Sequence, residues 1–533
     1  MSDLNPTDIY RRYRRNELEK ALAVDYLKSI IESSSDEELR KSSVEFLGEM
    51  DLDASEIYEL FEHLITSDLN EKVRLVAVRA IINNFIEKGE RLLKWVIKHE
   101  RSCDCLIGIY FTLSSKKSVL IEDLLLLMEE SIGKDYRISH GLLPKEAMAL
   151  ELLGRHLCNL YVFLEAKKWN FYDLKIMNQR VVLIKIENLY NSINSKFFSL
   201  FSGLQELILY DCKLNDAFYL SELSCLTING TEEGQLDSID EIKGFENLKN
   251  LRELDLNVNN ISEITKLEML TNLVKLDLSQ NDIKEIKGLE TLKNLEILNL
   301  EWNNISGIMN LQNLVNLKEL NLSDNKDIPK LKGLRKLKSL EILRLYNNYL
   351  IVEIEGLEEL KNLRILDISK DSGMIDLELA SKALTMIVPF EEGMDVKEYT
   401  KNQERLNKNY EEYRKMLENN RDYIREIKGL DTLTNLEELF LVGNSILEIR
   451  GLENLKKLRL LDLSKNKISK IKGLDKLVNL EELDLSYNPI TNMEGFENLG
   501  KLRSVNFEEC ELETNKIEHY FQTINRKNIK IYF

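Results

Sequence analysis

From Leu251 onward the hydrophobic and polar positions follow one recurring pattern, L-x-x-L-x-L-x-x-N-x-I-x-x-I-x-G-L-x-x-L. Its lead leucines, Leu251, Leu273, Leu295 and Leu317, are 22 residues apart. Steps of 23 reach Leu340 and Leu363, and the 22-residue spacing resumes at Leu436, Leu458, Leu480 and Leu502. Looser copies led by Val181, Leu204 and Leu223 bring the total to thirteen turns. With the lead residue called n, positions n+3 and n+5 (Leu254 and Leu256) share one side of a short strand and enter a core. Glu253, Asp255 and Asn257 then point to the opposite, solvated face.

The asparagine at n+8 ends the strand. A buried amide there both donates to and accepts from the backbone of neighbouring turns, which predicts a ladder. Asn259, Asn281, Asn303, Asn325, Asn348, Asn444, Asn466 and Asn488 fill the position, and Cys212 and Cys510 replace it near the two ends. An isoleucine pair such as Ile283 and Ile286, then Gly288-Leu289, returns the chain on the far side, the glycine suiting a tight turn. One such unit buries too little to stand alone, so the turns stack into a single parallel sheet, curved because the return segments are bulkier than the strands.

These residues resemble the 22-residue leucine-rich-repeat family of intracellular proteins, typified by the leucine-rich regulatory subunit of protein phosphatase 1, over roughly residues 181–533. No cysteine-flanked caps of the extracellular kind occur, which favours the intracellular relatives. The resemblance implies an α/β solenoid, right-handed and curved, with a parallel sheet on its concave face. It also implies a scaffold for binding proteins rather than an enzyme, since the family shares a fold and not an activity.

Residues 1–165 carry helical periodicity instead. Ala54–Ile65 and Glu71–Phe85 read as amphipathic helices split by Ser67-Asp68-Leu69-Asn70, with Val73, Val76, Ala77, Ala80 and Ile81 on one apolar face. Asp68, Val73, Arg74 and Ala77 resemble the second-helix signature of HEAT-like repeats, with weaker copies at Asp36–Val44 and Asp135–Leu152. The expected layout is a HEAT-like α-helical domain at 1–165, leucine-rich repeats at 166–369, a helical insertion at 370–422, and further repeats with a C-terminal cap at 423–533. The insertion explains the 73-residue step from Leu363 to Leu436, and its expected helices are Leu377–Ile387 and Val396–Leu417. The expected cap is a helix about Ile517–Phe521 and a strand at Ile529–Phe533.

Charge narrows the partners. With 73 basic and 91 acidic side chains the net charge is −18, which disfavours a nucleic-acid partner, since binding there needs a basic face. The arginines near the N-terminus precede no apolar stretch, and Val119–Met128 is broken by Glu122 and Asp123, so neither a secretion signal nor a membrane partner is expected. The six cysteines lack paired spacing, which points to a reducing, cytoplasmic setting. No phosphate-cradling glycine loop, H-E-x-x-H or C-x-x-C occurs. His99, Cys103 and Cys105 cluster, but C-x-C on a helix splays its side chains about 200° apart. No cofactor, metal or enzymatic activity is therefore expected.

Function should reside at the outward positions n+2, n+4, n+6 and n+7. The partner-binding residues expected there are Glu253, Asp255, Asp277, Glu301, Trp302, Glu319, Asp324, Arg344, Tyr346, Phe440, Asp484 and Tyr487. Carboxylates crowd the middle turns, and the aromatics form a stripe from Trp302 to Tyr487. The partner is then a protein with a basic, partly apolar face, bound by a regulatory subunit or adaptor. A phosphatase and a small GTPase are the enzyme classes considered. Glu301 and Trp302 match in kind the acidic and aromatic side chains that the phosphatase subunit uses. A two-armed scaffold joining two proteins and a secreted effector or adhesin-like binder are the alternatives.

Overall fold

The structure is a computed structural model. It describes all residues except 1–4, 51, 53–54, 133, 135–141, 161–171, 188–191, 194, 231–233, 326–327, 371–422 and 525–528. The chain packs as two units, residues 1–184 with 195–204, and residues 185–194 with 205–533.

The first unit is built from helices α1 (Pro6–Arg14), α2 (Lys20–Ser33), α3 (Glu37–Glu49), α4 (Ser55–Ser67), α5 (Glu71–Asn84), α6 (Ile86–His99), α7 (Cys103–Ser114), α8 (Val119–Ser131) and α9 (Pro144–Leu160). Side chains of Asp36, Asn70 and Ser102 accept backbone N–H bonds at the starts of α3, α5 and α7, satisfying donors that a helix leaves open. The break expected at 67–70 is the turn between α4 and α5. The apolar face read for α5 is buried throughout. Helix α3 stacks on α5 and α5 on α7, with α2 and α4 packed behind as their pair partners. Polar links repeat between successive pairs: Arg40 of α3 bonds Asp68, and Arg74 of α5 forks onto both carboxylate oxygens of Glu100 at 2.8 Å.

The second unit is a parallel solenoid; counting the weak first copy there are about 13 turns. Most strands are only three residues long, n+2 to n+4, as in Glu253–Asp255, and they pair without slippage. Leu254, Leu276 and Leu298 thus stand in register, as do Leu343, Leu366 and Leu439. Strand Ile365–Asp367 pairs directly with Glu438–Phe440 across the 73-residue step.

The asparagine ladder forms as expected. Asn281 Nδ2 donates to Leu256 O at 2.9 Å in the preceding turn, and its Oδ1 accepts from Ile261 N at 2.9 Å. Cys212 and Cys510 take the donor half of this role. Their thiols reach Ile186 O at 3.7 Å and Leu485 O at 3.2 Å. At Gly288, φ is +80° and a Cβ would stand 2.6 Å from Ile264 O, so glycine fits this turn without strain, whereas Lys266 and Asn310 take the equivalent position at φ +58° and +63°. The ladder also survives the step: Asn444 Nδ2 donates to Ile368 O at 3.1 Å and its Oδ1 accepts from Ile424 N at 3.3 Å. Lys370 keeps the n+7 register, its N–H bonded to Val442 O. The two helices expected within the insertion lie outside the described residues. At the far end, helix α10 (Thr514–Thr523) buries Ile517 and Phe521, and strand Lys530–Tyr532 pairs with Ser504–Asn506.

Candidate functional site

Register places the outward side chains in rows running across the strands, about 4.8 Å apart. The n+4 row includes Asp255, Asp277, Asn299, Asn321, Arg344, Asp367, Phe440, Asp462, Asp484 and Asn506, and ends at Tyr532. The n+2 row runs beside it, from Glu253 and Lys275 to Ile297, Glu319, Ile342, Ile365, Glu438, Leu460 and Glu482.

The expected residues divide by register. Asp255 and Asp277 are direct neighbours, as are Asp462 and Asp484. Glu319 and Arg344 form an ion pair at 3.7 Å, so part of the charge in the middle turns is already neutralised. Glu301, at n+6, accepts from Asn321 Nδ2 at 3.0 Å. Trp302 and Tyr487 sit at n+7, each with φ +53° and nearly half exposed, on the left-handed turn that follows the strand. Tyr346 lies at n+6, half-buried, and Phe440 at n+4. The four aromatics therefore occupy three registers and make no continuous stripe. Asp324 is a correction. It is 8% exposed, and its Oδ1 accepts from Asn347 Nδ2 at 2.9 Å, so it is a structural group and not a contact surface.

The row of n+4 carboxylates has a local task. Oδ1 of Asp277, Asp462 and Asp484 accepts both the N–H and the hydroxyl of the serine two residues on. In other turns Asn299, Asn321 and Asn506 accept the equivalent N–H at 3.0–3.1 Å. Where a side-chain oxygen serves this turn it therefore need not carry a charge, and Arg344 and Phe440 show that the turn also forms without one. Burial pushes the carboxyls of Asp255, Asp367 and Asp462 above the usual range, and for Asp255 and Asp462 neighbouring carboxylates add to this. Glu301 shifts the same way, chiefly by burial.

Four residues escaped sequence reasoning: Ile297, Ile342, Ile365 and Leu460. All stand in the n+2 row on the open side of the sheet and are only partly covered. The signal was present, since n+2 is an outward position, but an aliphatic residue in an apolar strand reads as core. Ile342 and Ile365 are register neighbours; Phe440 and Leu460 stand on the next two strands, with Glu438 between Ile365 and Leu460 in the n+2 row. Beside them a groove of about 280 Å³ runs from Phe440 to Tyr532 over Leu460, Asp462, Glu482, Asp484 and Asn506.

Among the described residues no cluster of histidine, cysteine or carboxylate side chains could hold a metal ion. Cys103 and Cys105 are buried, and the His99 ring stacks on Trp95 at 4.6 Å. No described helix is long and apolar enough to cross a membrane.

A family model of leucine-rich repeats in two copies matches residues 434–476 and 456–518. Over residues 434–518 the repeats match leucine-rich repeats. Among solved structures, a leucine-rich-repeat protein of Leptospira interrogans is similar at 24% identity, covering 64% of this chain and 75% of that one, with a TM-score of 0.50. An internalin from Listeria monocytogenes is 21% identical, covering 67% and 91%, with a TM-score of 0.49. The likeness to the Leptospira protein bears on fold alone. No curated protein matches the sequence.

Proposed function

We propose that this chain is a non-catalytic regulatory subunit or adaptor, acting in the cytoplasm, that holds another protein on the open face of its leucine-rich sheet. One observation carries the reading: Ile342, Ile365, Phe440 and Leu460 stand together on a solvated sheet face where the fold asks for no apolar side chain. Apolar side chains gathered on a solvated face among carboxylates such as Glu438 mark a contact surface. Its complement is a protein face that is basic and partly apolar. Likeness to the phosphatase regulatory subunit makes a phosphatase or a small GTPase the enzyme classes to examine first.

The test is capture from native lysate. The intact chain should retain a stoichiometric partner, and Ile365→Glu should lose it while its melting curve stays unchanged. Capture by that variant at the level of the intact chain rejects the assignment of the face. The helical unit supports a second reading, a scaffold with two arms, because Leu69 is 98% exposed and Trp95 43% exposed beside a cavity of about 300 Å³. Two co-purifying proteins, one of them retained by Ile365→Glu, would favour it.

A further inference from the structure

The groove between Phe440 and Tyr532 has a chemistry of its own. Three of its lining residues, Asp462, Glu482 and Asp484, are acidic, and no lysine or arginine lines it. An aromatic ring closes each end, and Leu460 supplies an apolar wall. Four strand spacings separate the ends, about 19 Å, a length suited to an extended segment rather than a compact small molecule.

The carboxylates have capacity to spare. Asp484 uses Oδ1 for Ser486 and Oδ2 for Asn506 Nδ2, at 2.9 Å. Asp462 uses only Oδ1, for Ser464, and no donor among the described residues reaches its Oδ2. The charge at this position is dispensable for folding, because asparagine makes the same turn three times in this chain. Asp462 and Asp484 are held side by side in a half-covered groove, and burial, with the neighbouring carboxylate, disfavours the charge on Asp462. The nearby cations have other partners: Arg459 is bonded to Glu481, and Lys465 lies 5.9 Å from the Tyr487 ring centre.

We infer that this groove receives an arginine side chain from an extended segment of the partner protein, its guanidinium set between Asp462 and Asp484 and against the Phe440 ring. The inference rests on the protein-binding reading and narrows it to one part of the face. Arginine fits better than lysine because a planar, weakly hydrated guanidinium satisfies paired carboxylates and stacks on an aromatic ring at once.

The probes are fluorescein-labelled octapeptides alternating leucine with arginine, lysine or citrulline, the last being arginine's neutral near-isostere. Anisotropy is read against the full chain at 0.15 M salt. The arginine peptide should bind best and the citrulline peptide at least about fivefold more weakly. Phe440→Ala should weaken the arginine peptide by about fivefold without any change of net charge. Asp462→Asn, which keeps the turn acceptor, should do likewise, while Glu285→Gln removes an exposed charge elsewhere and should have no effect. Equal binding of the arginine and citrulline peptides overturns the inference, as does undiminished binding by both groove variants. Equal losses in Asp462→Asn and Glu285→Gln, with Phe440→Ala intact, would reveal attraction to net charge alone and overturn it too. If partner capture persists while the peptides fail, the arginine site falls and the broader reading stands.

Discussion

Lys370 and Tyr423 stand on either side of a 52-residue stretch, yet the lysine ammonium lies 5.2 Å from the tyrosine ring centre. The ammonium also donates to Ile351 O at 2.8 Å and Tyr349 O at 3.3 Å, and is 1% exposed as a residue. No carboxylate pairs with it among the described residues. Burial pushes its pKa down to about 8, from an ordinary value of 10.5. The folded chain therefore sheds this proton first. Between pH 8 and 10.5 the unfolded state holds more protons, so stability rises with pH through that window. The contribution is full above 10.5 and is lost as pH falls through 8. Unfolding free energy of the intact chain, measured relative to Lys370→Met, should rise by up to about 3 kcal/mol from pH 7 to pH 10.5. A flat difference would contradict this account of the lysine.

The two 23-residue turns leave a mark on the ladder. Asn325 Oδ1 accepts from Ile305 N at 3.0 Å, whereas Asn348 Oδ1 is buried and finds no partner among the described residues. The extra residue lets Ile328 N turn back to Asn325 O instead. Asn325→Ala strands both halves of a rung and should cost about 3 kcal/mol by urea unfolding. Asn348→Ala loses only the donor half and should cost about 1 kcal/mol less.

Val258 is held at φ +54°, a left-handed conformation that a β-branched side chain resists. Asparagine takes this conformation readily, as Asn347 does at the equivalent position with φ +58°. Val258→Asn should therefore stabilise the solenoid by about 1 kcal/mol, read as a higher melting temperature. A lower one would mean that the valine packs better than its backbone suggests.

In the helical unit, Arg74 serves Glu100 through two bonds and also donates to Asp68 O and Leu69 O at 2.9 and 3.0 Å. Burial pushes the Glu100 carboxyl up, but the arginine fork and the Ser102 N–H together outweigh it and hold the group below the ordinary range. Arg74→Met leaves a covered carboxylate without its cation and should cost about 3 kcal/mol in that unit's unfolding transition. The same substitution should leave peptide binding at the Phe440 groove unchanged.

The repeat was legible because each turn solves the same burial problem with the same spacing. Leu254, Asn281 and Gly288 all do what their positions demanded, and even Cys212 and Cys510 act as partial rungs. The face was less legible. Ile342 and Ile365 are separated from the core leucines beside them only by their n+2 register, since their side chains are as apolar as the core's. Asp324 read as exposed because its burial depends on Asn347, 23 residues away. The left-handed n+7 position was also hidden, since Val258, Trp302, Lys465 and Tyr487 share a backbone shape and no side-chain chemistry.

Asn444 gives the long step its meaning. It grips Ile368 on one side of residues 371–422 and Ile424 on the other, so the neighbouring coil is indifferent to what the chain does between them. Exchanging those 52 residues for a single asparagine would restore a turn of 22, because residue 371 falls at n+8, the asparagine position of the repeat. A solenoid can thus acquire a new passage as a text acquires a parenthesis: the sentence resumes at the word where it paused, and its grammar holds.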